Sequence, residues 1–451
     1  MKYYFFALAL FTNLFFFISC KDNPTQTSPV ENNPPAGLTA SENELIIELN
    51  KFIKPLNGTL PSLDDSDLRV FDKFAEAKVI GLGEATHGTK DFFQMKHRLF
   101  KYFVEKHGFK IFGFEADMGE CIYIDRFIAS DIGTIDEVMR KMHFWTWRTQ
   151  EVKELILWMN QYNKSKSPQD KIHLLGVDCQ FKDFNKILIM EYLQRYDGSY
   201  PPRIGQILTE IDQLSNTHIQ ALTSAENILL KARCDSIKTY FDDNSSRLIA
   251  SSGQFEFTII RQLIRQTQQY IDVISSKTFN YRDQYMAENS EWLTDLLAPN
   301  TKVVLWAHNG HLAKDPAYLG SGSQGSFLSE NLSTQYKVIG FSFNQGTFRA
   351  VGYIPPSTYT GLTVQGIYEI PPKDSFNFIF YFSQPKNFIL INNDVTRNSP
   401  LYSWINSNKK ILSIGAVYSS NYYDSFFYTY NLGRIFDAVI HINTTLAADP
   451  Y

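Results

Sequence analysis

The stretch KVIGLGEATHGTKDFFQMKHRLFKYFVEKHGFKIFGFE, residues 78–115, holds two apolar runs separated by a helical pattern. KVIGLG (78–83) and FKIFGFE (109–115) are short and apolar, as buried strands are. Between them Phe92, Met95, Leu99, Phe103 and Val104 recur at helical spacing, and Gly108 marks the stop. Strand, helix and strand in so short a span make a βαβ unit, which favours a parallel sheet.

The same pattern extends outward. IHLLGVD (172–178), KVVLWAH (302–308) and YKVIGFSF (336–343) read as further strands, and VKELILWMNQYNK (152–164) as an amphipathic helix. From about 181 to 297 the periodicity is helical with almost no strand signal. This segment reads as a helical insertion forming a lid or pocket wall. Short β-like runs return after 345, at FILINN, KILSIGAVY and FDAVIHI. The expected fold is therefore α/β, with a mainly parallel central sheet flanked by helices, spanning 42–451.

The 451 residues are 44% hydrophobic and 20% charged, a globular composition. A net charge of -4 argues against a nucleic-acid partner, which would demand a basic surplus. Residues 1–20 differ from the rest. Lys2 is followed by YYFFALALFTNLFFFIS and then Cys20, which reads as a secretory signal of the lipoprotein type. Cleavage would leave Cys20 as the lipidated end; the alternative is an ordinary signal with an incidental cysteine. Residues 21–41 are rich in Pro, Asn, Ser and Thr and read as a flexible tether. The expected location is the bacterial cell envelope, with the chain lipid-anchored outside the inner membrane, on the outer membrane. Cys121, Cys179 and Cys234 show no CxxC spacing and read as buried free thiols.

Each core strand ends in polar or titratable groups. Glu84 and His87 follow the first, Glu115 ends the second and Asp178 the third, and His308 and His311 follow the fourth. In a parallel sheet these ends lie along one edge, where such folds bind ligands. Familiar phosphate and nucleophile motifs fail by spelling. A dinucleotide fingerprint needs glycine where Thr86 stands, and a P-loop needs Gly-Lys-Ser/Thr where Gly88-Thr89-Lys90 stands. Gly340-Phe341-Ser342-Phe343-Asn344 lacks the last glycine of a serine elbow, and there is no H-E-x-x-H. His97, His107, His143 and His173 read as packing or surface residues. The strand-end groups allow two chemistries. They could ligate zinc or manganese and activate water. Without metal, a histidine could take a proton from water while an acid orients it and a cation holds the oxyanion. Trp145 and Trp147 suit either an apolar substrate pocket or the core.

With these residues assembled, the chain resembles the erythromycin esterase family. The resemblance rests on GEATHGTKDFFQMKHRLF (83–100), GFEADMGE (113–120), FWTWRTQEV (144–152), GVD (176–178), RDQYMAEN (282–289), LWAHNGHLAK (305–314) and IGFSFNQGTFRA (339–350), in the family's order. It implies ester hydrolysis with no metal or other cofactor, on a small-molecule ester that in the best-known members is a macrolide lactone. It puts His87 in the position of the base, with Glu84, Glu115 and His308 on active-site positions and His311 nearby. Arg98 and Arg282 fall on basic positions near the cleft. A lipid anchor departs from the soluble cytoplasmic resistance enzymes. A metal-dependent hydrolase at the same residues, and a lipid-anchored binding protein without turnover, are the competing readings.

Overall fold

Short apolar runs bounded by polar or glycine-containing loops become the strands, and the structure is a computed structural model that describes residues 37–276, 280–316, 322–354 and 358–451. The expected signal, Cys20 and most of the tether lie outside the described residues. The strands are β1 (Lys54–Pro55), β2 (Val79–Leu82), β3 (Ile111–Asp117), β4 (His173–Asp178), β5 (Val303–Trp306), β6 (Tyr336–Ile354), β7 (Thr358–Ile367), β8 (Phe388–Ile391), β9 (Asn408–Leu412), β10 (Val417–Tyr418), β11 (Phe427–Asn431) and β12 (Ala438–Thr445). A ten-stranded sheet has the order β1-β8-β12-β6-β2-β5-β3-β4, with β7 and β10 pairing on β6. From β12 to β4 every neighbouring pair is parallel. β9 and β11 form a separate two-stranded sheet.

The expected α/β class with a mainly parallel sheet is what forms, with two departures. β6 outruns its apolar stretch. Its parallel pairing with β12 ends at Gly346, from which it pairs antiparallel with β7, and along this part burial alternates, so one of its faces no longer needs covering. β2 and β3, joined by one helix, are not neighbours, because β5 lies between them and pairs with both. The long excursion between β4 and β5 brings β5 back into that gap. Every described element in the excursion is a helix, from Asn185–Tyr196 to Asn280–Leu293.

Side-chain alternation along the strands assigns helices to the two faces of the sheet. Phe112 of β3 stacks on Phe100 of helix Lys90–His107, with ring centroids 4.5 Å apart. Phe92 and Phe93 of the same helix meet Phe341 and Trp306. On the other face Gly113 leaves room for Leu305 and for Leu293 of helix Asn280–Leu293. Gly108 ends helix Lys90–His107 at φ 70°, a left-handed conformation that glycine adopts without strain. Each buried Phe on this interface contributes about 1.5–3 kcal/mol by leaving water. Residues Ser41–Tyr451 form one compact unit, and Cys121, Cys179 and Cys234 are buried free thiols within it.

Candidate active site

The segments after β2 and β5, the ends of β3 and β4, and two helices deliver the titratable groups to the end of the sheet. The first loop follows β2. Gly83 there has no room for a side chain, because a Cβ would fall on Oδ1 of the Asn309 side chain. Gly88 is held in the same way against the Arg349 backbone. Neither glycine has a positive φ, so close approach explains them better than turn geometry. Asn309, from the loop after β5, clamps both backbone groups of Phe341: its Nδ2 donates to the carbonyl at 2.8 Å and its Oδ1 accepts the N–H at 3.1 Å. The β2, β5 and β6 ends are thus locked together.

Glu84 is fully buried in this frame and carries three donors. Oε1 is 2.7 Å from His87 Nδ1, while Oε2 accepts from Lys96 Nζ at 2.6 Å and from Trp306 Nε1 at 2.8 Å. Burial works to raise the Glu84 carboxyl, but Lys96 and His87 outweigh it and hold the group below its ordinary value. Burial in turn pushes the Lys96 ammonium down to about 8 against the pull of Glu84. The Lys96 charge also sits over the Trp306 ring, 4.4 Å from its centroid. The bond to Glu84 occupies His87 Nδ1, and among the described residues nothing hydrogen-bonds to Nε2. His87 keeps its side chain 15% exposed, so the ring is not sealed from solvent.

Arg282, at the start of helix Asn280–Leu293, organises the other half. It grips Asp178 with two bonds, Nε to Oδ1 at 3.0 Å and Nη2 to Oδ2 at 2.7 Å. Nη2 also donates to Glu115 Oε1 at 3.0 Å. Glu115 Oε2 accepts the His308 N–H at 2.8 Å. Burial alone would raise the Glu115 carboxyl, yet His311, His87 and Arg282 hold it far below the usual carboxylate range. His311 lies between acids, with Nδ1 2.8 Å from Asp283 Oδ1 and Nε2 3.3 Å from Glu115 Oε1. Burial opposes its charged form, but Asp283 and Glu115 prevail and raise its pKa. Arg282 Nη1 is 3.1 Å from the same Nε2.

His308 is tied differently. Its Nδ1 accepts from the Gly310 N–H and its Nε2 donates to the Ile414 carbonyl, both at 3.1 Å. Burial, reinforced by neighbouring His87, pushes it down to about 3, so it is a neutral imidazole with both nitrogens engaged. Its ring centroid is 5.0 Å from that of His87.

The structure therefore brings Glu84, His87, Glu115, Asp178, Arg282, His308 and His311 to one edge. Arg98 is not with them. Its side chain is fully buried, and its guanidinium turns to the segment around Asp64–Asp67, donating to Gly58 O at 2.8 Å, to Asp64 O and to both Asp67 oxygens. Its Nε is 3.3 Å from Asp65. The reason is helical phase: Arg98 is two residues from Lys96, and positions two apart do not share a face. Trp147 is buried among Phe93, Phe114 and Trp306, and only its edge faces His87, with centroids 6.5 Å apart. It belongs first to the core, and its indole N–H donates to the Glu115 carbonyl at 3.1 Å. Trp145 is half-buried at the start of the same short turn.

Sequence reasoning missed Lys96, Asp283 and Trp306. Lys96 carried a usable signal, since it stands between Phe92 and Leu99 on the apolar stripe, where a charge needs a buried partner. Trp306 read only as an apolar strand residue, and Asp283 only as part of a helical run.

Comparison with known proteins identifies the family. The erythromycin esterase family model matches residues 104–445. A putative hydrolase, YbfO, from Bacillus subtilis is 24% identical, over 68% of this chain and 76% of its own. Erythromycin esterase type II from Escherichia coli is 26% identical, over 60% of this chain and 70% of its own. The crystal structure of a Bacillus cereus protein superposes with a TM-score of 0.79 at 23% identity, covering 91% of this chain and 99% of that one, so the two share a fold. These matches define the class as ester-hydrolysing enzymes. The chain belongs to the erythromycin esterase family.

Proposed function

We propose that the chain hydrolyses a carboxylic ester by direct attack of water, with His87 as the general base. The observation that carries this reading is the Glu84–His87 bond: an ionised Glu84 can only accept, which holds the ring proton on Nδ1, and Nε2 has no hydrogen-bond partner among the described residues. Nε2 takes a proton from water as the oxygen adds to the ester carbonyl. The tetrahedral oxyanion collapses, and the imidazolium returns the proton to the leaving alkoxide. Ester and water become acid and alcohol, and His87 is restored. Ionised Glu84 stabilises the transient imidazolium, and Lys96 keeps Glu84 ionised.

Arg282 fits the oxyanion role. Its Nε and Nη2 hydrogens are spent on Asp178 and Glu115, while Nη1 has two hydrogens and, among the described residues, one hydrogen-bond neighbour, His311. His308 lacks a free nitrogen, so its part is to line the site beside His87. The donor set favours a metal-free reading. Glu84 already has Lys96 and Glu115 already has Arg282, so a dication would compete with a buried cation for each carboxylate.

The substrate class is a carboxylic ester or lactone, and the name of the Escherichia coli relative makes erythromycin the first lactone to try. The sequence around Cys20 supports lipid anchoring in the cell envelope, which labelling with a radioactive fatty acid in a bacterial host would test against Cys20→Ser. The functional test is turnover of a panel of aryl esters, alkyl esters and macrolide lactones, followed by mass spectrometry. Acid and alcohol products support the proposal. A compound bound tightly and recovered unchanged, with no ester in the panel cleaved, would make the chain a binding protein instead.

A further inference from the structure

A second group of ionisable side chains lies beyond the last residues of β3, and the proposed hydrolysis does not use it. Asp117 ends β3 and starts helix Met118–Ser130, in which Glu120 occupies the first turn. His143 stands just before the turn Trp145–Trp147. One carboxylate oxygen from each acid and one ring nitrogen of His143 lie within 4.8 Å of one another.

The hydrogen bonds around these groups leave ligand atoms over. Asp117 is 2% exposed; its Oδ1 accepts from the Phe181 N–H at 2.9 Å and from Gln266 Nε2 at 3.0 Å, its side chain forms a capping box with the Glu120 backbone, and no hydrogen bond of ordinary geometry reaches its Oδ2. A buried carboxylate oxygen without a well-formed hydrogen bond is unusual, because its desolvation is poorly compensated. His143 Nδ1 is also buried without a hydrogen bond, although Glu120 Oε2 is 3.0 Å away. Its other nitrogen, Nε2, is 3.2 Å from Asp183 Oδ2. The ring is clamped by Phe181, stacked at 4.2 Å with planes 12° apart. Glu120, fully buried, accepts the Asp117 N–H at 3.1 Å through Oε1 and the His143 N–H through Oε2, which orients its carboxylate and leaves lone pairs free. Asp117 also pairs in register with Asp178 on β4, so negative charge is concentrated here.

We propose that Asp117, Glu120 and His143 bind a divalent transition-metal ion, zinc or manganese. Two carboxylates and one imidazole are a donor set these ions accept, and three protein ligands leave a position for water. The Asp183–His143 contact matches the carboxylate that commonly holds the far nitrogen of a metal-bound histidine. A bound ion would join the end of β3 to the segment that carries Trp147, and so stiffen the wall behind His87.

The test uses the purified full chain, stripped with chelator and titrated with Zn2+ by calorimetry, with elemental analysis and the visible spectrum of the Co2+ form. The expected result is one equivalent of metal, lost in His143→Ala, and unchanged in His311→Ala, which alters the other cluster. Asp183→Ala, at an exposed side chain, keeps the ligands and is expected to weaken binding about tenfold. Failure of the folded wild type to take up Zn2+, Mn2+ or Co2+ would overturn the proposal. So would uptake that neither His143→Ala nor Asp183→Ala alters, or uptake lost in His311→Ala and kept in His143→Ala. Metal uptake can fail while esters are still cleaved, and can succeed without cleavage, so this proposal and the hydrolytic one stand or fall separately.

Discussion

Glu84→Gln is the perturbation for which the structure makes the sharpest statement. Oε2 of Glu84 faces the indole N–H of Trp306, which can only donate, and Lys96 Nζ. In the amide variant the oxygen must therefore face Trp306, and the NH2 group is turned toward His87. Nδ1, now facing a donor, becomes an acceptor, and the ring proton moves to Nε2. The nitrogen that should take a proton from water then already carries one. Loss of the correct tautomer with intact geometry costs up to about 10⁴-fold in rate, and general-base catalysis is worth about 10²–10⁴. We expect a fall in kcat of about 10³, or ~4 kcal/mol in the barrier, with KM within about threefold. The assay is steady-state hydrolysis of whichever panel ester the wild type cleaves, with circular dichroism to show the variant folds. A folded Glu84→Gln enzyme within fivefold of wild-type kcat would refute the tautomer argument.

Other outcomes follow from the same contacts. Arg282→Lys keeps the charge but loses the two-pronged grip on Asp178; kcat should drop about 10²-fold, as for loss of one oxyanion donor, and unchanged kcat would remove Arg282 from the mechanism. Arg98→Met should leave kcat alone while urea unfolding shows about 3–5 kcal/mol less stability, because buried Asp67 loses its partner; a selective loss of kcat would return Arg98 to the site. Glu115 has its folded pKa far below the ordinary 4.5, so its ionised form contributes stability above pH 4.5 that is lost as pH falls through the folded value. The Tm should therefore fall on acidification below pH 4.5, and less steeply in Glu115→Gln. An equal slope in both proteins would contradict the assignment.

Much of the fold was legible because buried strands have few spellings. KVIGLG, FKIFGFE, IHLLGVD and KVVLWAH each became a strand of the parallel core, and Phe92, Met95, Leu99 and Phe103 marked the face of their helix. The order of the strands was not legible. Nothing local in KVVLWAH says that it inserts between β2 and β3, because that depends on the path of the helical excursion. Yet this placement sets His308 beside both His87 and Glu115. Polar groups at strand ends identified most of the cluster, since a parallel sheet collects them along one edge. The Glu84–Lys96 pair needed the helix phase as well as the pattern. Arg98 shows the opposite limit: residues two apart on one helix carry the same charge, but one reaches the strand ends and the other an Asp-rich loop.

The claim on which the account rests is that His87 activates water. Its most direct test is single-turnover hydrolysis by His87→Ala, with and without added imidazole, on an ester the wild type cleaves. The account predicts a loss of about 10²–10⁴ in rate with substrate affinity preserved, and partial recovery with imidazole. A folded His87→Ala enzyme that keeps a third or more of the wild-type rate would contradict it.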